Sequence, residues 1–252
     1  MILFLLLLFW ITPAGAATSD DIEIKLQRMH QGWGGPRYTI TIHGDGRVVF
    51  DTGTAHGGDK ALLGSDVLMF AVMFPGRHES RIPPANVVQL LAAFDRVNFF
   101  ELGDVYQRPP PGMVTDQDIN RLTIRVGPRY KSVLDDDGER HGMPPAVRDL
   151  MRMIDQAAST HRWTHGNPGM VADHVRRNGP MNNDDGAARL LLADARGQRE
   201  MILALVNAGA PLFHTDPLVN YGLIGPFLHV SAIHQGWDDV AAALTRRMAV
   251  PN

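Results

Sequence analysis

The stretch YTITIHGDGRVVFDTG, residues Tyr38–Gly53, decides how the first half of this chain folds. Two runs rich in β-branched and aromatic residues alternate apolar and polar positions on either side of Gly44, Asp45 and Gly46. Glycine adopts the positive φ angles that a tight hairpin turn requires. The pattern therefore predicts a β-hairpin within an antiparallel sheet.

Further strand-like runs on both sides of this hairpin extend the predicted sheet. Some of them alternate apolar and polar residues, as a half-buried strand does, and one is an apolar run suited to a buried strand. Two of them flank Gly127-Pro128 and indicate a second hairpin. These runs are Ile22–Arg28, Val67–Phe74, Arg77–Ile82, Arg121–Val126 and Arg129–Leu134.

Paired prolines introduce two amphipathic helices, since proline is tolerated in the first helical turn. The predicted helices run from Pro84 to Val97 and from Pro145 to His161, and Trp163 closes this half. Their predicted buried faces are Val87, Leu90, Leu91 and Phe94, then Val147, Leu150, Met151 and Ile154. Strands and helices in this order predict an α+β fold, an antiparallel sheet with helices on one face.

The second half, residues 168–250, reads as a short all-α repeat array. Gly186–Phe213 and Pro226–Ala249 share one plan, two helices around a glycine, and resemble degenerate ankyrin repeats. Met170–Pro180 resembles the second helix of an earlier repeat. Gly197 and Gly236 are 39 residues apart, against a usual period of about 33, which fits an insertion around Asp216–Gly225.

Apolar positions at helical spacing predict that neighbouring repeats bury their faces against one another. Such arrays usually need about three units to bury a continuous core, so we expect this one to lean on the first half for stability. The positions predicted to be buried are Leu190, Leu191, Leu203, Leu205, Val206, Val230, Ile233, Val240 and Leu244.

The first sixteen residues are typical of a secretory signal peptide. Ile2–Ile11 is an apolar run, too short to span a membrane, and Ala14-Gly15-Ala16 supplies the small residues of a cleavage site. No Lys or Arg precedes the run, so an uncleaved anchor remains the alternative. The predicted organisation is a signal peptide at 1–16, an α+β domain at 20–163 and repeats at 168–250, in a periplasmic or secreted protein.

Composition narrows the functional classes. A formal net charge of −3 gives no general attraction to nucleic acid or to an anionic membrane. The absence of cysteine excludes disulfides, thiol nucleophiles and thiolate metal sites. We therefore expect stability to come from a packed core, and contact with a membrane only through an uncleaved signal peptide.

The first half is similar to a bacterial exported family called domain of unknown function 6438, over about residues 22–163. Members typically read Arg-x-x-Cys-x-x-x-Cys-Pro-x-Tyr, a strand, then Asp-Gly and another strand. The matching residues here are Arg28, Pro36, Tyr38, Asp45 and Gly46. Gln31 and Gly35 replace the two family cysteines, lost as a pair as expected if they bond to each other in relatives. The resemblance implies no activity.

No stretch of sequence assembles a catalytic, cofactor or metal site. Asp135, Asp136 and Asp137 are consecutive, unlike the alternating carboxylates of a calcium loop, and indicate a solvated turn. His161 and His165 have helical ligand spacing but straddle the expected helix end. No serine lies in a nucleophile elbow. The histidines and acids are interpreted as surface and packing residues.

These observations favour a non-catalytic binding protein of the bacterial envelope, whose partner is another protein held by the ankyrin-like region. The alternative is an enzyme or inhibitor with a site on the sheet, around Arg28, Tyr38 and Asp45. A structural or stress-related envelope protein is the third hypothesis.

Overall fold

The computed structural model describes residues 21–29, 36–53, 71–107, 119–213 and 224–249. The predicted signal peptide at 1–16 lies outside the described residues. So do the positions of the two family cysteines, Gln31 and Gly35, and most of the insertion predicted around Asp216–Gly225. None of the helices in the described ranges is long and apolar enough to cross a membrane.

Within the described residues, seven strands form one sheet in the spatial order β4-β3-β2-β1-β6-β7-β5. Neighbours pair antiparallel except β5, which runs parallel to β7. The strands are β1 (Ile22–Arg28), β2 (Tyr38–His43), β3 (Arg47–Asp51), β4 (Arg77–Arg81), β5 (Val105–Gln107), β6 (Ile119–Val126) and β7 (Arg129–Asp136). The α+β class with a mostly antiparallel sheet is confirmed.

Both predicted hairpins are present, β2 with β3 and β6 with β7. Gly46 turns the first one at a φ of +83°. A Cβ atom there would lie 2.3 Å from the carbonyl oxygen of Ile82, so the close approach of the chain requires glycine at this position.

Two strand predictions need correction. Residues 71–74 of the predicted strand Val67–Phe74 form bends rather than a strand, and residues 67–70 lie outside the described ranges. Residues 71–74 are apolar because they contribute to two cores. Ala71, Met73 and Phe74 pack into the helical half, and Val72 packs under the sheet. The short parallel strand β5 was not predicted at all.

Two helices cover one face of the sheet, α1 (Pro84–Arg96) and α2 (Pro145–Ala158). The four residues predicted to form the buried face of α2 are all buried. On α1, Leu91 is only partly buried. Alternate residues of the strands complete this core, among them Ile24, Leu26, Ile40, Ile42, Val48, Phe50, Leu122 and Ile124. Short 3-10 helices occur at Phe99–Glu101 and Gly138–His141.

The second half consists of stacked helices. They are α3 (His161–Thr164), α4 (Pro168–Asn178), α5 (Asp184–Ala195), α6 (Arg199–Asn207), α7 (Ile224–His234) and α8 (Asp238–Met248). Helices α5 and α7 pack side by side in one layer, and α4, α6 and α8 pack in the other. Each hairpin, α5 with α6 and α7 with α8, therefore stacks on its neighbour.

The two hairpins turn in the same way. Gly197 and Gly236 have φ angles of +64° and +69°. The amide after each glycine donates to a carbonyl five residues earlier at 2.8 Å, Gln198 to Ala193 and Trp237 to Ala232. The 39-residue spacing read from the sequence therefore relates equivalent turns.

Seven of the nine residues predicted to form the faces between repeats pack into this core, Leu203 only partly. The prediction is wrong for Val230 and Ile233 on α7, whose side chains are 63 % and 57 % exposed. They lie on the side of α7 that no other described helix covers.

The first half and the array meet at residues 71–74. The amide of Met73 donates to the carbonyl of Thr164 at 3.0 Å. Arg189 Nε donates to the Met73 carbonyl at 2.9 Å, and Arg196 donates to the carbonyls of Thr164 and Ala71. Two arginines of the array thus hold a segment that belongs, by sequence, to the sheet half.

Candidate functional site

Arg28 and Tyr38 are opposite each other at the ends of β1 and β2, on the face covered by α2. Arg28 Nη2 lies 2.6 Å from Asp155 Oδ2, and the Tyr38 hydroxyl donates to Asp155 Oδ1 at 2.8 Å. The hydroxyl of Thr160 donates to the same Oδ1 at 3.1 Å. Both oxygens of the Asp155 carboxylate are therefore engaged.

Burial and neighbouring charges shift the pKa values of Arg28 and Tyr38. Burial, the largest single influence, disfavours the charged form of Arg28, but the charges of Asp155 and Tyr38 and the hydrogen bonds to both together raise the pKa of Arg28 above its ordinary value. Burial, together with the charge of Asp155, raises the pKa of Tyr38. Arg28 and Tyr38 therefore both keep their protons at neutral pH and act as hydrogen-bond donors to Asp155.

The cluster continues along β6 and β7. Arg28 Nη1 donates to Asn120 Oδ1 at 3.0 Å, and Asn120 Nδ2 donates to Asp135 Oδ2 at 3.2 Å. The amide of Gly138 donates to Asp135 Oδ1 at 2.8 Å. Asp135 is fully buried, so the prediction of a solvated turn is wrong for this residue. We call Arg28, Tyr38, Asn120, Asp135 and Asp155 the polar cluster.

Asp45, the third residue of the sheet-site hypothesis, does not join the polar cluster. Its carboxylate accepts from the Arg47 amide at 2.9 Å and pairs with Arg81 at 3.2 Å within the hairpin turn. The Arg47 amide, followed by the charges of Arg81 and Arg47, lowers the pKa of Asp45. The structure therefore brings together two of the three predicted residues and gives Asp45 a role in the turn.

Asn120 and Asp155 were not singled out from the sequence. Asp155 lies one helical turn after Met151, at the border of the apolar stripe of α2, and a carboxylate at that place signals a buried partner. Asn120 is two residues before Leu122, so the alternation of β6 places it on the buried face, and a polar residue there signals a buried partner.

A groove of about 510 Å³ lies over the other face of the sheet, which the described helices do not cover. It reaches from Lys25, Thr39 and Thr41 to the strand ends at Arg28 and Tyr38. Arg37, Val49, Asp51 and Arg77 contribute to its walls. We call it the sheet groove.

A second groove, of about 580 Å³, lies between α4, α6 and α8. Apolar side chains line much of it, and Arg246 and Arg247 from the last turn of α8 contribute to its rim. Neither arginine has an ion-pair or hydrogen-bond partner in the described part of the chain. The other lining residues are Val175, Pro180, Val206, Asn207, Ala208, Gly209 and Ala243. We call it the array groove.

His161 and His165 face each other around the short helix α3, with ring centroids 4.3 Å apart. Burial, followed by the charges of Arg196 and His161, lowers the pKa of His165 to about 4. Among the described residues, no three side chains of the metal-ligating types converge. The two imidazole rings stack on each other at the junction of the two halves.

The comparisons with known proteins bear on the first half alone. Residues 34–158 match the family model described as Domain of unknown function (DUF6438). The matched range includes Tyr38, Asn120, Asp135 and Asp155, and Arg28 precedes it. The match supports the resemblance of the first half to this family. No curated protein matches the chain. Since the description names no activity, function has to be argued from the geometry.

Proposed function

We propose that this chain is an exported, non-catalytic binding protein of the bacterial envelope, and that its ankyrin-like half holds another protein. Export rests on the signal-like residues 1–16. Short stacks of helical hairpins have no chemistry of their own and commonly present a surface to a partner. The equivalent turns at Gly197 and Gly236 support the ankyrin-like reading.

One observation carries the proposal, the array groove. Its floor is aliphatic, formed by side chains such as Val175, Val206 and Ala243, and would gain from burial against aliphatic groups. Its rim has two cations without a described partner, Arg246 and Arg247. Arginine on the rim of an apolar site favours a carboxylate. The groove therefore fits a partner segment that combines leucine, isoleucine or valine with aspartate or glutamate.

The helix dipole favours cations in the last turn of any helix, so the position of Arg246 and Arg247 does not by itself indicate a role in binding. A second pair of arginines in a last helical turn provides a control. Arg176 and Arg177 occupy the last turn of α4 but do not line the array groove. Reversing the charge of either pair opposes the dipole of its helix, and reversing Arg176 also breaks an exposed ion pair with Asp173 that contributes less than about 1 kcal/mol. A loss of binding confined to the R246E/R247E variant therefore reports on the groove.

Selection of displayed random peptides on the whole exported protein tests the proposal. We expect the enriched peptides to share aliphatic and acidic residues, and to lose at least tenfold in affinity for the R246E/R247E variant. The R176E/R177E variant should bind them as the natural protein does. Enriched peptides without acidic residues, or equal binding by both variants, would refute the array groove as the site.

The sheet groove is the observation that favours the alternative, an enzyme or inhibitor with a site on the sheet. It adjoins Arg28 and Tyr38, the residues of that hypothesis that the fold brings together. A broad hydrolase screen of the exported protein distinguishes the two. Turnover that is lost in Tyr38→Phe and kept in R246E/R247E would replace the binding role with a catalytic one.

A further inference from the structure

The sheet groove carries an inference that goes beyond a protein-binding role. Successive residues of a strand point to opposite faces, so alternate residues of β1 and β2 line this groove rather than the core. Lys25 on β1 is opposite Thr41 on β2 and Thr123 on β6. Its two cross-strand neighbours are therefore uncharged, and Glu23, two residues earlier on the same face, is 3.8 Å from Arg125.

Basic residues outnumber acidic ones among the residues that line the sheet groove. Lys25, Arg28, Arg37 and Arg77 supply cations, and Asp51 is the acidic residue among its lining residues. Asp155 pairs with Arg28 from the core side of the sheet. Arg77 lies 3.8 Å from Asp51 and 3.1 Å from Glu79. Within the described residues, Lys25 has neither an ion pair nor a hydrogen bond, and it remains a cation without a carboxylate.

Two hydroxyl groups stand beside this cation. Thr39 and Thr41 are two residues apart on β2 and face the same side, about 7 Å from each other along the strand. Neither hydroxyl has a hydrogen bond partner in the described ranges. An ammonium group has three donors and each hydroxyl has one, and such a set of donors suits an oxyanion.

We propose that the sheet groove binds an oxyanion, a carboxylate or phosphate group, with Lys25 as its charged ligand and Thr39 and Thr41 as hydroxyl donors. Arg37 and Arg77 also line the groove, and Arg77 is paired with Asp51 and Glu79. The recognised group belongs to a small molecule or to the end of a chain that fits in about 510 Å³. This site is separate from the array groove, so the proposal does not depend on the proposed protein-binding role.

Nuclear magnetic resonance titration of the exported protein tests the site, with inorganic phosphate in one arm and acetate in the other. Chloride keeps the ionic strength constant, because screening alone shifts the signals of charged surfaces. We expect saturable shifts of the amide signals of β1 and β2. Saturation by phosphate indicates a tetrahedral ligand and saturation by acetate a planar one, and either result supports the proposal.

Three variants separate binding from general electrostatics. Lys25→Met should raise the apparent Kd at least tenfold, and Thr41→Val, which removes a hydroxyl but keeps the shape, should raise it severalfold. Arg125→Met removes the same charge from the same face of the sheet outside the groove, where Arg125 is 3.8 Å from Glu23. It should change the Kd less than twofold. Shifts that do not saturate with either anion, or equal effects of Lys25→Met and Arg125→Met, would overturn the proposal.

Discussion

The sheet half and the helical array reach stability in different ways. In the sheet half, polar contacts join residues far apart in sequence, as Arg28 does with Asp155 across 127 positions. In the array, side-chain contacts such as Ser231 with Asp194 link one hairpin to the next, 37 positions away. The first half therefore depends on a single closed arrangement, whereas the array is a sum of neighbouring interfaces. Damage should spread through the whole sheet half but remain within the array.

The segment at residues 71–74 complicates this contrast. It leaves the sheet half, contributes Met73 and Phe74 to the core of the array, and is held there by Arg189 and Arg196. The array therefore borrows apolar surface from its neighbour, which gives a physical reason for the expectation that it leans on the first half.

The largest effect is expected at Asp155. Asp155→Ala leaves the Arg28 guanidinium without its carboxylate and removes the acceptor of Tyr38 and Thr160, at a cost of about 3–5 kcal/mol. Denaturant unfolding of the sheet half should show this loss. The control is Asp149→Ala on the same helix, where an exposed pair with Arg152 contributes less than about 1 kcal/mol. Equal losses in the two variants would contradict the role of the polar cluster.

Leu205 provides the corresponding test in the array. Leu205→Ala creates a cavity at a fully buried position and should cost about 2–5 kcal/mol. Hydrogen exchange, read segment by segment, should show α4 to α8 opening while β1 to β3 stay protected. The partly buried Leu203 on the same helix is the control, and Leu203→Ala should cost less. Loss of protection in the strands as well would show that the two halves unfold as one unit.

The junction should give an intermediate effect. Burial lowers the pKa of Arg196 to about 10, and the residue donates to two backbone carbonyls, those of Thr164 and Ala71. Arg196→Met removes the side-chain donor from the Ala71 carbonyl and leaves the Thr164 carbonyl with only the Met73 amide, at a cost of about 1–3 kcal/mol. Calorimetry should show a larger difference between the Tm values of the two halves. The control Arg199→Met breaks an exposed pair with Asp239 and should leave their separation unchanged.

The smallest effect is a pH dependence from His165. Its pKa of about 4 in the folded chain lies below the ordinary 6.5, because burial disfavours the charged ring. As the pH falls, the unfolded chain binds a proton at His165 before the folded chain does. The contribution of neutral His165 to the free energy of unfolding is therefore full above pH 6.5 and is lost as the pH falls toward 4. His165→Asn should flatten the decrease of Tm in this range, and His234→Asn, at an exposed position, should not. Identical profiles for both variants would show that His165 is not the source.

Sequence patterns predicted the elements that depend on local signals. The hairpin at Gly46 and the helix beginning at Pro145 follow from turn residues and periodicity within about fifteen positions. The strand β5 has three residues and pairs with a distant strand, so no local pattern marks it. Two of the partners of Asp155, Arg28 and Tyr38, are 127 and 117 positions away on β1 and β2, so no local pattern reveals them. The exposure of Val230 and Ile233 depends on what stacks against α7, which periodicity alone does not reveal.

The most direct test of the central claim, that the array groove holds a partner protein, is photo-crosslinking in the living envelope. A photoreactive residue is placed at Asn207 in the array groove, at Val230 on the exposed side of α7, or at Thr41 in the sheet groove. We predict a discrete adduct from Asn207 whose crosslinked peptide contains acidic and aliphatic residues, and which disappears when R246E/R247E is added. Adducts confined to Val230 or Thr41, or an Asn207 adduct unaffected by R246E/R247E, would contradict the account.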